Sequence, residues 1–228
     1  MHAARVPARS SVPARHHRGF GRRGYTPKLV SLRPGTEQRA AVFLDRDGTI
    51  IEDVGYLRRL EQVAFFPWSI DAIRALNRAG LPVVLITNQS GIARGLMTEA
   101  FVDQTHRFIA ERLAAGGARI DGYHFCPHHP QGKVEPYARE CNCRKPGCGM
   151  IERAAAELGL DPSRSFVVGD TWLDVGAGRA AGARSILVRR RLTARDEAPP
   201  PPPGLEADAI VDNLAAAASW ILTHVDRA

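Results

Sequence analysis

Short apolar runs recur along the chain, each too brief for a helix and each closing on a polar cluster. Ala41-Val42-Phe43-Leu44 leads into Asp45-Arg46-Asp47-Gly48-Thr49, and Val83-Val84-Leu85-Ile86 leads into Thr87-Asn88-Gln89-Ser90-Gly91. Ser165-Phe166-Val167-Val168 leads into Gly169-Asp170. Continuous apolar runs of this length read as strands buried on both faces. Gly122 to Phe125, Ser185 to Val188 and Ala209 to Val211 are three further strand candidates. Between the runs the period lengthens. Ile70, Ile73, Ala75 and Leu76 sit at helical spacing, and Gly80 ends that helix. Thr98 is placed to cap a helix that buries Phe101, Phe108, Ile109 and Leu113. Gly149 to Leu158, residues 172–181 and residues 212–224 read as three more helices, with Gly159 a C-terminal stop for the first. Residues 50–66 mix aromatics and charges and predict a flap or hairpin, while Pro199 to Pro203 predicts an extended loop.

Strands that alternate with helices predict an α/β fold, a doubly wound parallel sheet covered on both faces. The polar clusters after the first, second and fourth strands then meet at the carboxyl ends of the strands, where such sheets bind ligands. Asp45 and Asp47 are expected to send their side chains to different sides, one to attack and one to handle protons.

The 228 residues carry a net charge of +7, but the surplus is local. Residues 1–40 hold nine Arg or Lys against one acid, Glu37, so the rest of the chain is close to neutral. Residues 1–39, with little hydrophobic periodicity, read as a disordered basic tail ahead of a domain at 40–228. A solvated extension, an early start codon, a nucleic-acid-binding arm and an organellar transit peptide remain open readings of that tail. No apolar run reaches the ~20 residues needed to span a bilayer, and no secretory signal pattern is present. The expectation is a cytoplasmic monomer with a small-molecule substrate and no nucleic-acid partner.

The crevice residues suit phosphoryl transfer, which needs an in-line nucleophile and positive charge around the phosphoryl oxygens. Asp45 fits the nucleophile and Asp47 the general acid, then base. Asp170 fits a Mg²⁺ ligand, and Asp174, one helical turn on, a group that orients metal-bound water. The Thr87 hydroxyl suits a phosphoryl oxygen. Lys145 suits charge neutralisation, and Arg144 beside it suits a second anionic part of the substrate. Taken singly, each of these is also an ordinary turn, cap or surface residue. The case is joint.

All four cysteines fall between positions 126 and 148. Cys126-Pro127-His128 and Cys141-Asn142-Cys143 are two ligand pairs separated by 12 residues, a set that suits tetrahedral Zn²⁺ in a structural site. His129 is an alternative to His128. A disulfide is the competing reading, and Cys148 is left as a free thiol.

Asp45-x-Asp47-Gly-Thr, Thr87-Asn88, Lys145 and Gly169-Asp170-x-x-x-Asp174 together resemble the four motifs of the haloacid dehalogenase superfamily of phosphatases. The Cys126 to Pro146 segment resembles the zinc-loop branch that holds the D-glycero-D-manno-heptose 1,7-bisphosphate 7-phosphatases and the histidinol-phosphate phosphatases. The resemblance implies a Rossmann-like fold without a large cap domain and an aspartyl-phosphate intermediate at Asp45. It implies Mg²⁺ at Asp45, the Asp47 carbonyl and Asp170, and zinc at the loop. It also implies substrate contacts at Asp53, Val54, Gly55 and Tyr56, at Asn88, Gln89 and Ser90, and at Arg144. The implied reaction is removal of the 7-phosphate of a heptose 1,7-bisphosphate in sugar metabolism. The alternatives are histidinol phosphate or another small phosphomonoester, or more remotely a catalytically dead zinc-containing nucleic-acid-binding module. Two positions depart from the pattern: Thr171 stands where a lysine is expected, and Gly147-Cys148-Gly149 replaces an expected His-Pro.

Overall fold

The computed structural model describes residues 38–189 and 200–225. Most of the predicted tail, residues 1–37, and Pro199 of the predicted loop lie outside the described residues. Six parallel strands form one sheet: β1 Val42–Leu44, β2 Val83–Asn88, β3 Gly122–Cys126, β4 Phe166–Gly169, β5 Arg184–Val188 and β6 Ala209–Val211, in the order β3-β2-β1-β4-β5-β6. The helices are α1 Ser69–Arg78, α2 Glu99–Ala115, α3 Gly149–Leu158, α4 Trp172–Ala180 and α5 Leu214–His224. The doubly wound expectation is met.

The pleat divides the core in two. Val42 and Leu44 point to the side packed by Ile73 and Leu76 of α1, Ile109 and Leu113 of α2 and Leu214 of α5. Ala41 and Phe43 point to the other side, packed by Met150 and Ile151 of α3 and Ala177 of α4. That division is the period-two geometry of a strand buried on both faces. The body is tied down from Arg39 onward. Its amide donates to the Gly159 carbonyl at 3.2 Å and its carbonyl accepts from Asp161 N–H at 2.9 Å.

Two details differ from the sequence reading. The buried stripe of α2 is Val102, Thr105, His106, Ile109 and Leu113. Phe101 and Phe108 are half-buried at its margin, with the Arg112 guanidinium 5.1 Å above the Phe108 ring. An i, i+4, i+7 stripe started at Val102 fits the sheet better than one started at Phe101, and His106 pays its way by stacking on Tyr123 at 5.2 Å. Residues 50–66 form a short flap held by two antiparallel bonds, Glu52 N–H to Ala64 O and Phe66 N–H to Ile50 O.

The strand order reverses between β1 and β4. A ligand crevice is expected there, outside the carboxyl ends of those two strands.

Candidate active site and metal centre

β1 stops at Leu44, and the chain turns at once. The Arg46 carbonyl accepts from the N–H groups of Thr49, Ile50 and Ile51. Gly48 adopts φ +82°, and a Cβ there would run into the Asp170 carboxylate. Only glycine meets both demands, a left-handed backbone and a close approach. The turn brings both Asp45 and Asp47 to the same crevice, which corrects the expectation that they diverge: residues two apart on an extended backbone share a face.

Lys145 reaches the crevice from the loop before α3. Asn88, at the end of β2, pins it: Lys145 N–H donates to Asn88 Oδ1 at 3.0 Å, and Asn88 Nδ2 donates to the Lys145 carbonyl at 3.2 Å. The ammonium is buried and donates to Asp45 Oδ1 at 2.8 Å, to Asp174 Oδ1 at 2.5 Å and to the Ile86 carbonyl at 3.2 Å. Asp174 is held in turn from the start of α4, where its Oδ2 accepts from Thr171 N–H at 3.2 Å and Thr171 Oγ1 at 2.6 Å. A Cβ on Gly169 would collide with the Asp174 carboxylate. Thr171, which stands in place of an expected lysine, therefore spends its hydroxyl on capping α4.

Asp45, Asp170, Asp174 and Lys145 are all at least nine-tenths buried. Burial pushes the Asp45 carboxyl well up, Lys145 pulls it down, and Asp174, Asp170 and Asp47 push it up again, with a net rise. Burial draws the Lys145 ammonium down, but Asp174 and Asp45 outweigh that and its pKa also ends raised. The two directions are compatible. One ammonium among three carboxylates is amply compensated, whereas the carboxylates are not. Two negative charges are left over. Ligand oxygens of the three acids lie within 4.8 Å of one another. This set fits a hard divalent cation that takes oxygen ligands. Asp174 has both oxygens engaged, so Asp45 and Asp170 are the better direct ligands.

The crevice, about 190 Å³, is lined by Asp45, Asp47, Lys145 and Asp170, and from the end of β2 by Thr87, Asn88 and Ser90, while Asp174 reaches it only through its bond to Lys145. Asp53 and Gly55 of the flap form one wall, and Arg144 another. Of the predicted substrate contacts, Val54, Tyr56 and Gln89 do not line it. Val54 and Tyr56 are exposed, and Tyr56 lies beside Gly91. Gln89 is buried behind the wall, where Nε2 donates to Asp47 Oδ2 at 3.0 Å and Thr87 Oγ1 at 2.8 Å. Thr171 and Leu173 line the crevice without having been singled out as contacts. Arg46 was also missed. Its side chain is 2% exposed and its fork grips both Asp47 oxygens. Only the turn geometry reveals it, because the Asp-x-Asp pattern read from the sequence leaves that position unspecified.

The second cluster lies where β3 ends. The Sγ atoms of Cys126, Cys141 and Cys143 are 3.2–3.5 Å apart, and His128 Nδ1 is 3.3 Å from Cys143 Sγ and 3.7 Å from Cys126 Sγ. A tetrahedral Zn²⁺ with Zn–S bonds of ~2.3 Å sets its ligands ~3.8 Å apart, so this quartet fits zinc. His128 Nε2 faces Arg139 at 2.9 Å, which leaves Nδ1 to the metal. His129 is occupied elsewhere, by Arg94 and by Gln131 N–H. Cys148 stands outside the quartet, its Sγ 3.2 Å from Glu152 Oε1.

Comparison with known proteins agrees with the geometry. The HAD-hydrolase-like family model matches residues 142–217. The D-glycero-beta-D-manno-heptose-1,7-bisphosphate 7-phosphatase of Yersinia pestis is 41% identical over 183 residues, covering 79% of this chain and 94% of that protein. The enzyme of the same name from Rhodopseudomonas palustris is 47% identical over 145 residues, 64% of this chain and 81% of that protein. The D,D-heptose 1,7-bisphosphate phosphatase of B. bronchiseptica, solved with magnesium and phosphate, superposes with a TM-score of 0.68 at 33% identity, over 81% of this chain and 98% of that one.

Proposed function

Because the chain belongs to the haloacid dehalogenase-like family of these heptose-bisphosphate phosphatases, we propose that it removes the 7-phosphate of D-glycero-β-D-manno-heptose 1,7-bisphosphate, leaving the 1-phosphate and inorganic phosphate. The observation that carries this reading is the convergence of Asp45, Asp47, Lys145 and Asp170 on one small crevice, with Asp174 beside them against Lys145. Asp45 attacks phosphorus in line as the bond to the sugar oxygen breaks. Asp47 gives its proton to that oxygen. In the second half, Asp47 takes a proton from water, the water oxygen attacks phosphorus, and the bond to Asp45 breaks and restores its carboxylate. Lys145 holds Asp45 in place and balances charge on the transferring group, and Asp174 fixes Lys145. The Thr87 hydroxyl accepts a place beside a phosphoryl oxygen, and Arg144 faces the 1-phosphate. Asp53 and Gly55 of the flap meet the sugar.

Mg²⁺, held by Asp45, Asp170 and the Asp47 carbonyl, would supply positive charge to the phosphoryl oxygens. Zn²⁺ at Cys126, His128, Cys141 and Cys143 would staple the loop that presents Arg144 and Lys145. No described helix is long and apolar enough to cross a membrane. The test is phosphate release from the heptose bisphosphate and from histidinol phosphate by the magnesium-loaded protein. The reading expects kcat/KM to favour the heptose by about tenfold or more, since a site that pairs with substrate hydroxyls discriminates strongly. Equal, poor turnover of both would remove it.

A further inference from the structure

We propose that Arg46 is a positioning residue for proton transfer: its buried fork, together with Gln89, locks the Asp47 carboxylate in the one orientation from which it exchanges protons with the leaving oxygen and with water. The inference rests on Asp47 acting as the acid and base of the proposed hydrolysis.

Arg46 is among the largest fully buried side chains of the described residues, which is unusual for a cation. Its Nε lies 3.1 Å from both Asp47 oxygens, and its Nη2 lies 3.0 Å from Oδ1 and 2.8 Å from Oδ2. Gln89 Nε2 adds a bond to Oδ2 from the carboxyl end of the neighbouring parallel strand β2 and is itself anchored on Thr87 Oγ1. An aspartate in a turn on a crevice wall would otherwise choose among staggered rotamers. Here rotation about its side-chain bonds breaks contacts to two buried partners at once. A planar fork fixes direction as well as distance, which a point charge does not.

A purely structural role predicts something different. The Arg46 carbonyl already closes the turn with the amides of Thr49, Ile50 and Ile51, so the side chain is not needed for that. What distinguishes the two roles is leaving-group dependence. A sugar alkoxide needs a proton as it departs, whereas p-nitrophenolate does not. The first irreversible step is read by kcat/KM, which isolates that departure from later hydrolysis.

The experiment compares wild type with Arg46→Gln in the magnesium-loaded enzyme on the heptose bisphosphate, on a simple alkyl monophosphate and on p-nitrophenyl phosphate. For the alkyl esters kcat/KM is expected to fall about 100-fold, the scale of a misplaced general acid. For p-nitrophenyl phosphate the expected fall is less than about threefold, since that step needs no acid. Losses of equal size on all substrates, or no loss on any, would overturn the proposal. Where Arg46→Gln does not fold, Arg46→Lys, which keeps the cation but not the fork, is read by the same contrast. Wild-type failure on the heptose bisphosphate alone would sink the substrate assignment and leave the contrast between alkyl and aryl esters intact.

Discussion

Lys145→Met is the most informative single perturbation of the site. Methionine keeps most of the buried volume and removes three hydrogen bonds, to Asp45, Asp174 and the Ile86 carbonyl. It leaves three buried carboxylates facing one another with no cation among them. Breaking a buried ion pair from one side costs about 3–5 kcal/mol. For a domain of this size that is a fall of about 6–20 °C in Tm. The assay is thermal unfolding in magnesium-free buffer, wild type against variant. Adding Mg²⁺ should recover more of Tm in the variant than in wild type, because the cation replaces charge that is missing only there. The pH dependence has a definite sign. Asp45 is pushed above the ordinary carboxylate range in the fold, so the folded state binds a proton more readily than the unfolded chain. Its contribution is present at low pH and is lost as pH rises. The variant loses the one group that opposed the shift, so its deficit should be largest near neutrality and should shrink on acidification. A variant Tm within about 2 °C of wild type at neutral pH without Mg²⁺ would refute the reasoning, because a destabilisation that small is below a broken buried pair.

Three further outcomes are expected. Asp45→Asn should abolish turnover while leaving the fold and the zinc content unchanged, checked by circular dichroism and metal analysis; residual turnover above about one part in a thousand would reassign the nucleophile. Cys141→Ser should lose zinc and lower Tm, since a structural zinc site contributes folding energy directly; full zinc stoichiometry would show the ligand set to be wrong. His106 is held neutral by burial, with help from the nearby Arg46 charge, and its pKa is pushed down to about 3. The unfolded chain therefore takes up a proton first as pH falls, so stability drops below the ordinary histidine range and continues to drop toward that value. The slope approaches ~1.4 kcal/mol per pH unit. Urea unfolding of His106→Leu should show a shallower acid slope between pH 6 and 4 than wild type.

Much of the fold was legible because hydrophobic burial on two faces leaves a plain mark. β6 and α3 match their predicted residues, and β1, β2, β4 and β5 differ by one or two at their ends. Asp45, Asp47 and Asp170 were legible for a related reason: they follow strands whose carboxyl ends must meet. Lys145, on the loop before α3, was legible only as part of the joint pattern. The choice between His128 and His129 was not, since both spacings suit a metal and only the direction of each ring separates them. Arg46 was invisible and Gln89 was read as a substrate contact, because their contacts with Asp47 arise from a turn that folds the chain back on itself at Gly48. The α2 stripe misled because two phenylalanines outweighed a histidine in any reading by hydrophobicity, whereas the sheet surface accepted the histidine.

A single residue, Arg144, separates Cys143, the last cysteine of the quartet, from the lysine whose ammonium grips Asp45. With Mg²⁺ in the crevice and Zn²⁺ in the loop as proposed, a chelator such as EDTA should act at two addresses on different clocks. Stripping the crevice would be fast and undone by magnesium chloride. Unpicking the loop would be slower, and it would free the tether of the very lysine on which the crevice depends. Inactivation by chelation should thus pass from a stage that magnesium reverses to one that only zinc repairs.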